Sequence, residues 1–383
     1  MIYLDYNATS PTDPRVIEAM IPYFHDISAN PSSIHSAGQQ AREAVEAARK
    51  SLAELLNSRS DEIYFTSGGT EADNIAIKGT AFAEDTRKDI ITSVIEHHAV
   101  LAACEYMKKF GFNVIKVPVD QHGIVDLDYL TARVNENTLL VSIMHANNEV
   151  GTIEPIQEIS KIAHRHGAIF HTDAVQTVGK IAFDIMTMGV DMLSLSGHKF
   201  CGPKGIGALI VRKGIRFDPL SHGGHHEGGK RAGTENVPGI VGLGKACAIA
   251  QHEMRADEER IKKLRDRLWS GLNNSISELK LNGHPEKRLA NTLNFSVRYI
   301  EGESMLLKLD KAGICVSSGS ACTSGSLEAS HVLVAMGVPP DMAHGSLRFS
   351  LGKFNCEPEV EKVLKVFPEI VEQLRAMSPL YRN

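Results

Sequence analysis

Short apolar, β-branched runs recur through the first two thirds of the chain, at 63–66, 89–94, 113–117, 139–144, 168–172, 192–196 and 206–211. Several are apolar at successive positions, the pattern of strands covered on both faces. Between them, 71–83, 100–110 and 156–166 carry apolar residues at helical spacing. This alternation predicts an α/β fold around a largely parallel sheet. After Gly233 the rhythm changes. The stretch 236–272 reads as long helices, with the charge-rich 253–267 facing solvent. Strands are predicted at 292–298 and 347–351, and helices at 304–312 and 357–377. Two units follow: a large domain, 1–250, and a smaller C-terminal α+β domain, 251–383. The opening segment 11–52 reads as helical with a loop at 29–35, and can pack on either domain.

The 383 residues are 43% apolar and 23% charged, with a net charge of −5. That is an ordinary globular composition and excludes a globally disordered chain. The mild acidity argues against a nucleic-acid partner. No apolar run approaches the ~18 residues of a membrane span. Met1-Ile2-Tyr3-Leu4-Asp5 lacks the basic and apolar regions of a signal peptide. The six cysteines, Cys104, Cys201, Cys247, Cys315, Cys322 and Cys356, form no CxxC pair. A reducing, cytoplasmic setting is expected, in which a single thiol can carry chemistry.

Chemistry-bearing residues follow the apolar runs. Ser196-Gly197-His198-Lys199 follows 192–196. A lysine at a strand end, among glycine and small polar residues, can form a Schiff base with a carbonyl cofactor such as pyridoxal phosphate, with Ser196 and His198 at its phosphate. By itself the motif reads more readily as a turn with a surface lysine. Ser67-Gly68-Gly69-Thr70-Glu71 leads from a strand into a helix, as a phosphate site or as a plain cap at Thr70. Asp173 can pair with a pyridine nitrogen or cap a helix, His97 can stack on a ring or be structural, and Asn147-Asn148 suits a ring hydroxyl or a turn. The joint pattern carries the weight, because ligands of open α/β sheets sit beyond the carboxyl ends of strands.

Ser317-Ser318-Gly319-Ser320-Ala321-Cys322-Thr323-Ser324-Gly325-Ser326 consists almost wholly of small residues. It is expected to be a mobile loop that exposes Cys322. Cys104, Cys247, Cys315 and Cys356 are expected to be packing residues. His222-Gly223-Gly224-His225-His226 matches no metal-ligand spacing, and no metal is assigned. Arg348 lies in a predicted strand, where it can meet a substrate carboxylate or a structural acid.

Together SGGTEADN, HANNEVGT, HTDAVQTVGK, SGHKFCGPKG, RAGTENVPGIVG and SSGSACTSGSLEASHVL, with LDYNATSPTDPRV and NPSSIHSAG near the start, resemble the cysteine desulfurases of the NifS/IscS type. The likeness runs from residue 3 to about 380. The long cysteine loop and the ending at Tyr381-Arg382-Asn383 make it closest to the NifS-like long-loop group. Three departures stand out: Gly69 where alanine is frequent, Cys201 where tyrosine is frequent, and His225-His226 in place of Gly-Gln.

The resemblance implies a pyridoxal 5′-phosphate (PLP) transferase of fold type I, in the class-V aminotransferase branch. It implies a mostly parallel seven-stranded sheet, a smaller C-terminal domain and a homodimer. Lys199 would hold the cofactor, His97 would stack on its ring and assist proton transfer, and Asp173 would pair with the ring nitrogen. Gln176 and Asn148 would address the ring hydroxyl. Gly69, Thr70, Ser196 and His198 would bind the phosphate, and Thr234 would reach the phosphate in the opposite subunit. Arg348 and Asn148 would hold the carboxylate of L-cysteine. Cys322 would take its sulfur and pass it to an acceptor such as an iron–sulfur scaffold protein. A selenocysteine lyase, or another lyase or aminotransferase of this fold, is the alternative.

Overall fold

The computed structural model describes residues 1–318, 329–379 and 381. Its strands are β1 (Ile2–Tyr3), β2 (Ile63–Thr66), β3 (Asp89–Ser93), β4 (Asn113–Val117), β5 (Thr138–Ser142), β6 (Ile169–Asp173), β7 (Met192–Ser196), β8 (Gly207–Val211), β9 (Leu279–Asn282), β10 (Thr292–Val297), β11 (Ile314–Cys315), β12 (Ser317–Ser318) and β13 (Ser346–Ser350). Seven of them form one sheet in the order β2-β8-β7-β6-β5-β3-β4. All run parallel except β8, which is antiparallel to both of its neighbours. A strand joined to β7 without a crossover helix has to reverse direction. The carboxyl ends of β2, β3, β5, β6 and β7 therefore open on one edge, where a ligand site forms.

The apolar runs seen in the sequence are this sheet. β3, β5, β7 and β8 are buried along their whole length. Helices cover both faces, among them Ser36–Leu56, His98–Met107 and Ile156–Arg165. A second sheet, β12-β13-β10-β9, is antiparallel. It packs on its own apolar cluster with Gly302–Lys311 and Glu357–Met377.

One helix, Val237–Ser275, serves both clusters. Val237, Ile240, Leu243 and Ala250 enter the core of the large sheet, and Ile261, Leu264, Leu268 and Leu272 enter that of the small one. The step from residue 250 to 251 thus falls inside a continuous helix. The opening segment is likewise shared: Ile2 and Leu4 belong to the small core, and Val16 to the large one. No helix among the described residues is long and apolar enough to cross a membrane.

Candidate active site

Beyond the strand ends lies a cavity that opens to solvent. Its walls include Gly69, Thr70, His97, Asn148, Asp173, Gln176, Ser196, His198, Lys199 and Arg348. Of the two asparagines expected after β5, only Asn148 is in that set. Asp173 and Ser196 end β6 and β7, Gly69, Thr70, His97, His198 and Lys199 follow within a few residues of β2, β3 and β7, and Arg348 lies within β13 of the second sheet.

Lys199 lies in the 3₁₀ turn Gly197–Lys199 after β7. Its Nζ donates to the carbonyl oxygens of Asn7 at 2.6 Å and Ala8 at 2.9 Å. Asp173 ends β6, and its Oδ1 accepts the Val175 amide at 2.9 Å. It therefore does both things its position allows: it caps a turn and lines the cavity. Asp73 sits behind it with Oδ1 lacking a hydrogen-bond partner, 3.7 Å from His171 Nε2. Burial pushes both carboxyls upward, and each raises the cost of ionising the other. A cation placed against Asp173 would relieve that cost, which is what a protonated pyridine offers.

His97 caps the helix His98–Met107, and its Nδ1 accepts the Ala99 amide at 3.1 Å. That bond leaves the ring hydrogen of the neutral imidazole on Nε2. Burial, then the Lys199 charge, bring His97 down to about 4. His198, held through Nδ1 to Thr9 Oγ1 at 3.0 Å, is likewise brought down to about 4 by burial and Lys199. Gly69 is there for clearance, because a Cβ at that position would lie 2.5 Å from Val175 Cγ2. The two asparagines separate cleanly. Asn147 folds inward, its Oδ1 accepting the amides of Glu149 and Val150, while Asn148 lines the cavity.

Arg348 is 2% exposed on β13. It donates to Asp5 Oδ1 at 2.8 Å and to the Asn148 carbonyl at 3.0 Å, and its Nε has no hydrogen-bond partner. The structural acid is thus Asp5, and the arginine also lines the cavity. Thr234 is exposed and outside the cavity, on a segment tied to the phosphate-loop helix by Arg231 Nε to Glu71 Oε1 at 2.9 Å. Cys322 lies outside the described residues. Among the described cysteines, Cys104 and Cys247 are buried, as expected of packing residues. Cys315 is half-buried. Cys356, expected to pack, is instead exposed, at the start of the closing helix. His222 and His225 are exposed, and no group of three metal-ligating side chains converges among the described residues.

The sequence reading assigned no role to Asp5, Asn7 or Asp73. The signal for the first two was present in the quoted LDYNATSP segment, where two polar residues follow a buried Leu4.

The class-V aminotransferase model matches residues 2–363. The chain belongs to that family. It is an enzyme, and its cofactor is PLP. The cysteine desulfurase IscS of Methanosarcina thermophila is 54% identical over 380 residues, which is 99% of this chain and 94% of that protein. A solved NifS-like protein superposes with a TM-score of 0.92 at 43% identity, covering 97% of this chain and all of that one. SspA, solved in complex with cysteine, superposes at 0.82 with 36% identity over 93% of this chain and 100% of its own.

The residues present fit the cofactor. Thr70, Ser196 and His198 line one part of the cavity with polar side chains suited to a phosphate, Lys199 is the only lysine in its wall among the described residues, and buried Asp173 has no cation bonded to it among them.

Proposed function

We propose that this protein is a cysteine desulfurase that converts L-cysteine to L-alanine and leaves the sulfur as a persulfide on Cys322. The balance is L-cysteine plus Cys322–SH giving L-alanine plus Cys322–S–SH. The observation that carries the reading is one cavity lined by Lys199, Asp173, His97 and Arg348, in a chain that also holds the SSGSAC segment.

Bound in this cavity, PLP supplies an electron sink for the substrate Cα. The chain supplies the rest. Asp173 holds the ring nitrogen, and His97 covers the ring and presents its Nε2 hydrogen. Gly69, Thr70, Ser196 and His198 hold the phosphate, and Gln176 and Asn148 address the ring hydroxyl. Arg348, in the cavity wall, addresses the substrate carboxylate, a charge-assisted contact that orients the amino acid. Lys199 takes the Cα proton and returns it. The Cys322 thiolate attacks the substrate sulfur, because a thiol is the weaker nucleophile.

Thr234 serves the cofactor phosphate of a second copy, a reading supported by its exposure outside its own chain's cavity. The enzyme is a cytoplasmic homodimer that hands sulfur to an acceptor such as an iron–sulfur scaffold protein. Sedimentation as a monomer would remove the Thr234 assignment.

The test is alanine release from L-cysteine with dithiothreitol, comparing wild type and Cys322→Ala. Wild type releases alanine, and the variant stays at background while retaining the visible absorbance of bound cofactor. Near-wild-type release from Cys322→Ala would reject Cys322 as the sulfur acceptor. Equal loss on selenocysteine and cysteine would leave the lyase alternative open, whereas turnover of selenocysteine independent of Cys322 would favour it.

A further inference from the structure

A second, tighter cavity shares a wall with the first, between the opening segment, the helix Val237–Ser275 and the strand end of β13. Lys199 is in the wall of both. Lys180 is in the wall of the second only, four residues beyond Gln176, which lines the first.

A chain of hydrogen bonds joins them. Lys180 Nζ donates to Gln176 Oε1 at 3.0 Å and to Asn7 Oδ1 at 3.5 Å. Gln176 Nε2 donates to the Asn7 carbonyl oxygen at 3.0 Å, and that same oxygen accepts Lys199 Nζ at 2.6 Å. Asn7 is itself fixed. Its amide Nδ2 donates to Thr292 Oγ1 at 2.8 Å and to the Asn148 carbonyl at 3.1 Å, and its Oδ1 accepts from Asn291 Nδ2 at 2.8 Å. The Gln176 amide therefore has one orientation. Its oxygen is taken by Lys180, and its NH₂ is turned to Asn7, with one hydrogen left over for the cavity.

We propose that Lys180 is a positioning residue for the desulfurase reaction: it locks the Gln176 amide as a donor toward the cofactor and sets a cation behind Lys199. This rests on the cofactor reading above and names a residue that reading does not use. Burial, and after it the charge of Lys199, bring Lys180 down to about 7. The groups facing Lys180 are His198, Lys199 and Cys201 from the segment after β7 and Arg348 from β13. Asp13, Glu253, Asp257, Glu258 and Lys353 share its cavity, where Lys353 pairs with Asp13, Glu253 and Asp257. Lys199 is in turn faced by His97, Asp173 and His198. Losing a neighbouring cation makes a proton at Lys199 easier to hold.

The experiment is a pH titration of the visible absorbance of the holoprotein in wild type, Lys180→Met and Lys180→Arg. In Lys180→Met the midpoint rises by roughly 0.5–1 pH unit, and KM for cysteine rises with it. Lys180→Arg, which keeps a cation and a donor, restores most of both. A Lys180→Met midpoint equal to wild type overturns the proposal, since a merely structural role would change stability and leave the midpoint in place. A second measurement uses the wild-type protein. In a chain carrying ε-¹³C lysine, the Lys180 signal, assigned by its loss in Lys180→Arg, shifts when PLP is added. An unmoved signal also overturns the proposal. Failure of the cofactor reading looks different: wild type would then show no visible band with PLP at all.

Discussion

Glu227 shows how much of this molecule is decided by single side chains. Its backbone is left-handed, at φ 47°. That turn sends its carboxylate inward, where it accepts from Arg49 Nη2 at 2.9 Å, from Arg49 Nη1 at 3.0 Å and from the Phe65 amide at 2.9 Å. The Glu227 and Arg49 side chains are 3% and 11% exposed. Arg49 also lies over the Phe65 ring, 4.6 Å from its centre. Removing one member of a buried pair leaves the other charge without compensation, a loss of about 3–5 kcal/mol. Glu227→Ala should therefore lower unfolding stability by that amount in denaturant titrations, and Arg49→Met with Glu227→Leu should recover most of it. A loss below about 1 kcal/mol in the single variant would show that water reaches the pair. At this scale the sequence was legible wherever a chemical residue type directly followed an apolar run, as with Asp173, Lys199 and His97. It was silent on Glu227, Asp73 and Lys180, whose partners are distant in sequence or hidden by folding. Glu227 meets an arginine 178 positions away.

At the scale of elements, burial decided what could be read. The inner strands of the large sheet are continuous apolar runs because helices cover both faces, and β7 matches the predicted run end to end; β2 and the more exposed edge strand β4 match theirs as well. β9 was missed. It is a short edge strand, Leu279–Asn282, whose leucines are only half-buried. β1, β11 and β12 are two residues long and carry no period at all. The helix Val237–Ser275 was read as more than one, because Gly239, Gly242 and Gly244 weaken its opening turns. Packing explains at least one of them: a Cβ on Gly244 would lie 2.5 Å from the Ala48 Cα of the helix Ser36–Leu56. Close approach of two helix backbones is what that glycine allows, and no single-chain propensity shows it. The domain division at 250 and 251 failed to anticipate a helix shared by two cores for the same reason.

Over the whole molecule, the buried titratable groups fall into two sets that oppose each other as pH changes. Glu96 and Glu149 are brought up to about 8 and about 7 by burial, and Glu154 is raised by burial as well. None of the three lines the cofactor cavity. In the unfolded chain a glutamate loses its proton near pH 4.3, so above that pH the native state holds more protons than the unfolded state. The stabilisation from these three is therefore full at low pH and is lost as pH rises toward their native values. His145 and His171, brought down to about 4 and about 3 by burial, work the other way. They stabilise above the ordinary histidine value near 6.5 and lose that contribution as pH falls below it. Between about 4.5 and 6.5 the sets offset each other; above about 6.5 the three carboxyls still lower stability as pH rises, and Lys180, brought down to about 7, opposes them with the one proton it loses. Stability should thus be higher at pH 6 than at pH 8, even though the surface is mildly acidic. Glu96 offers the cleanest test, because its carboxyl accepts the Met144 amide at 3.0 Å and the Ser93 hydroxyl at 2.6 Å, and a neutral amide carbonyl can take either bond. Glu96→Gln should flatten the decline between pH 6.5 and 8 by up to about 1 kcal/mol per pH unit, a bound set by the release of one proton. Thermal unfolding of both holoproteins across that range reads the difference directly, and parallel curves would mean that Glu96 is ionised in the native protein.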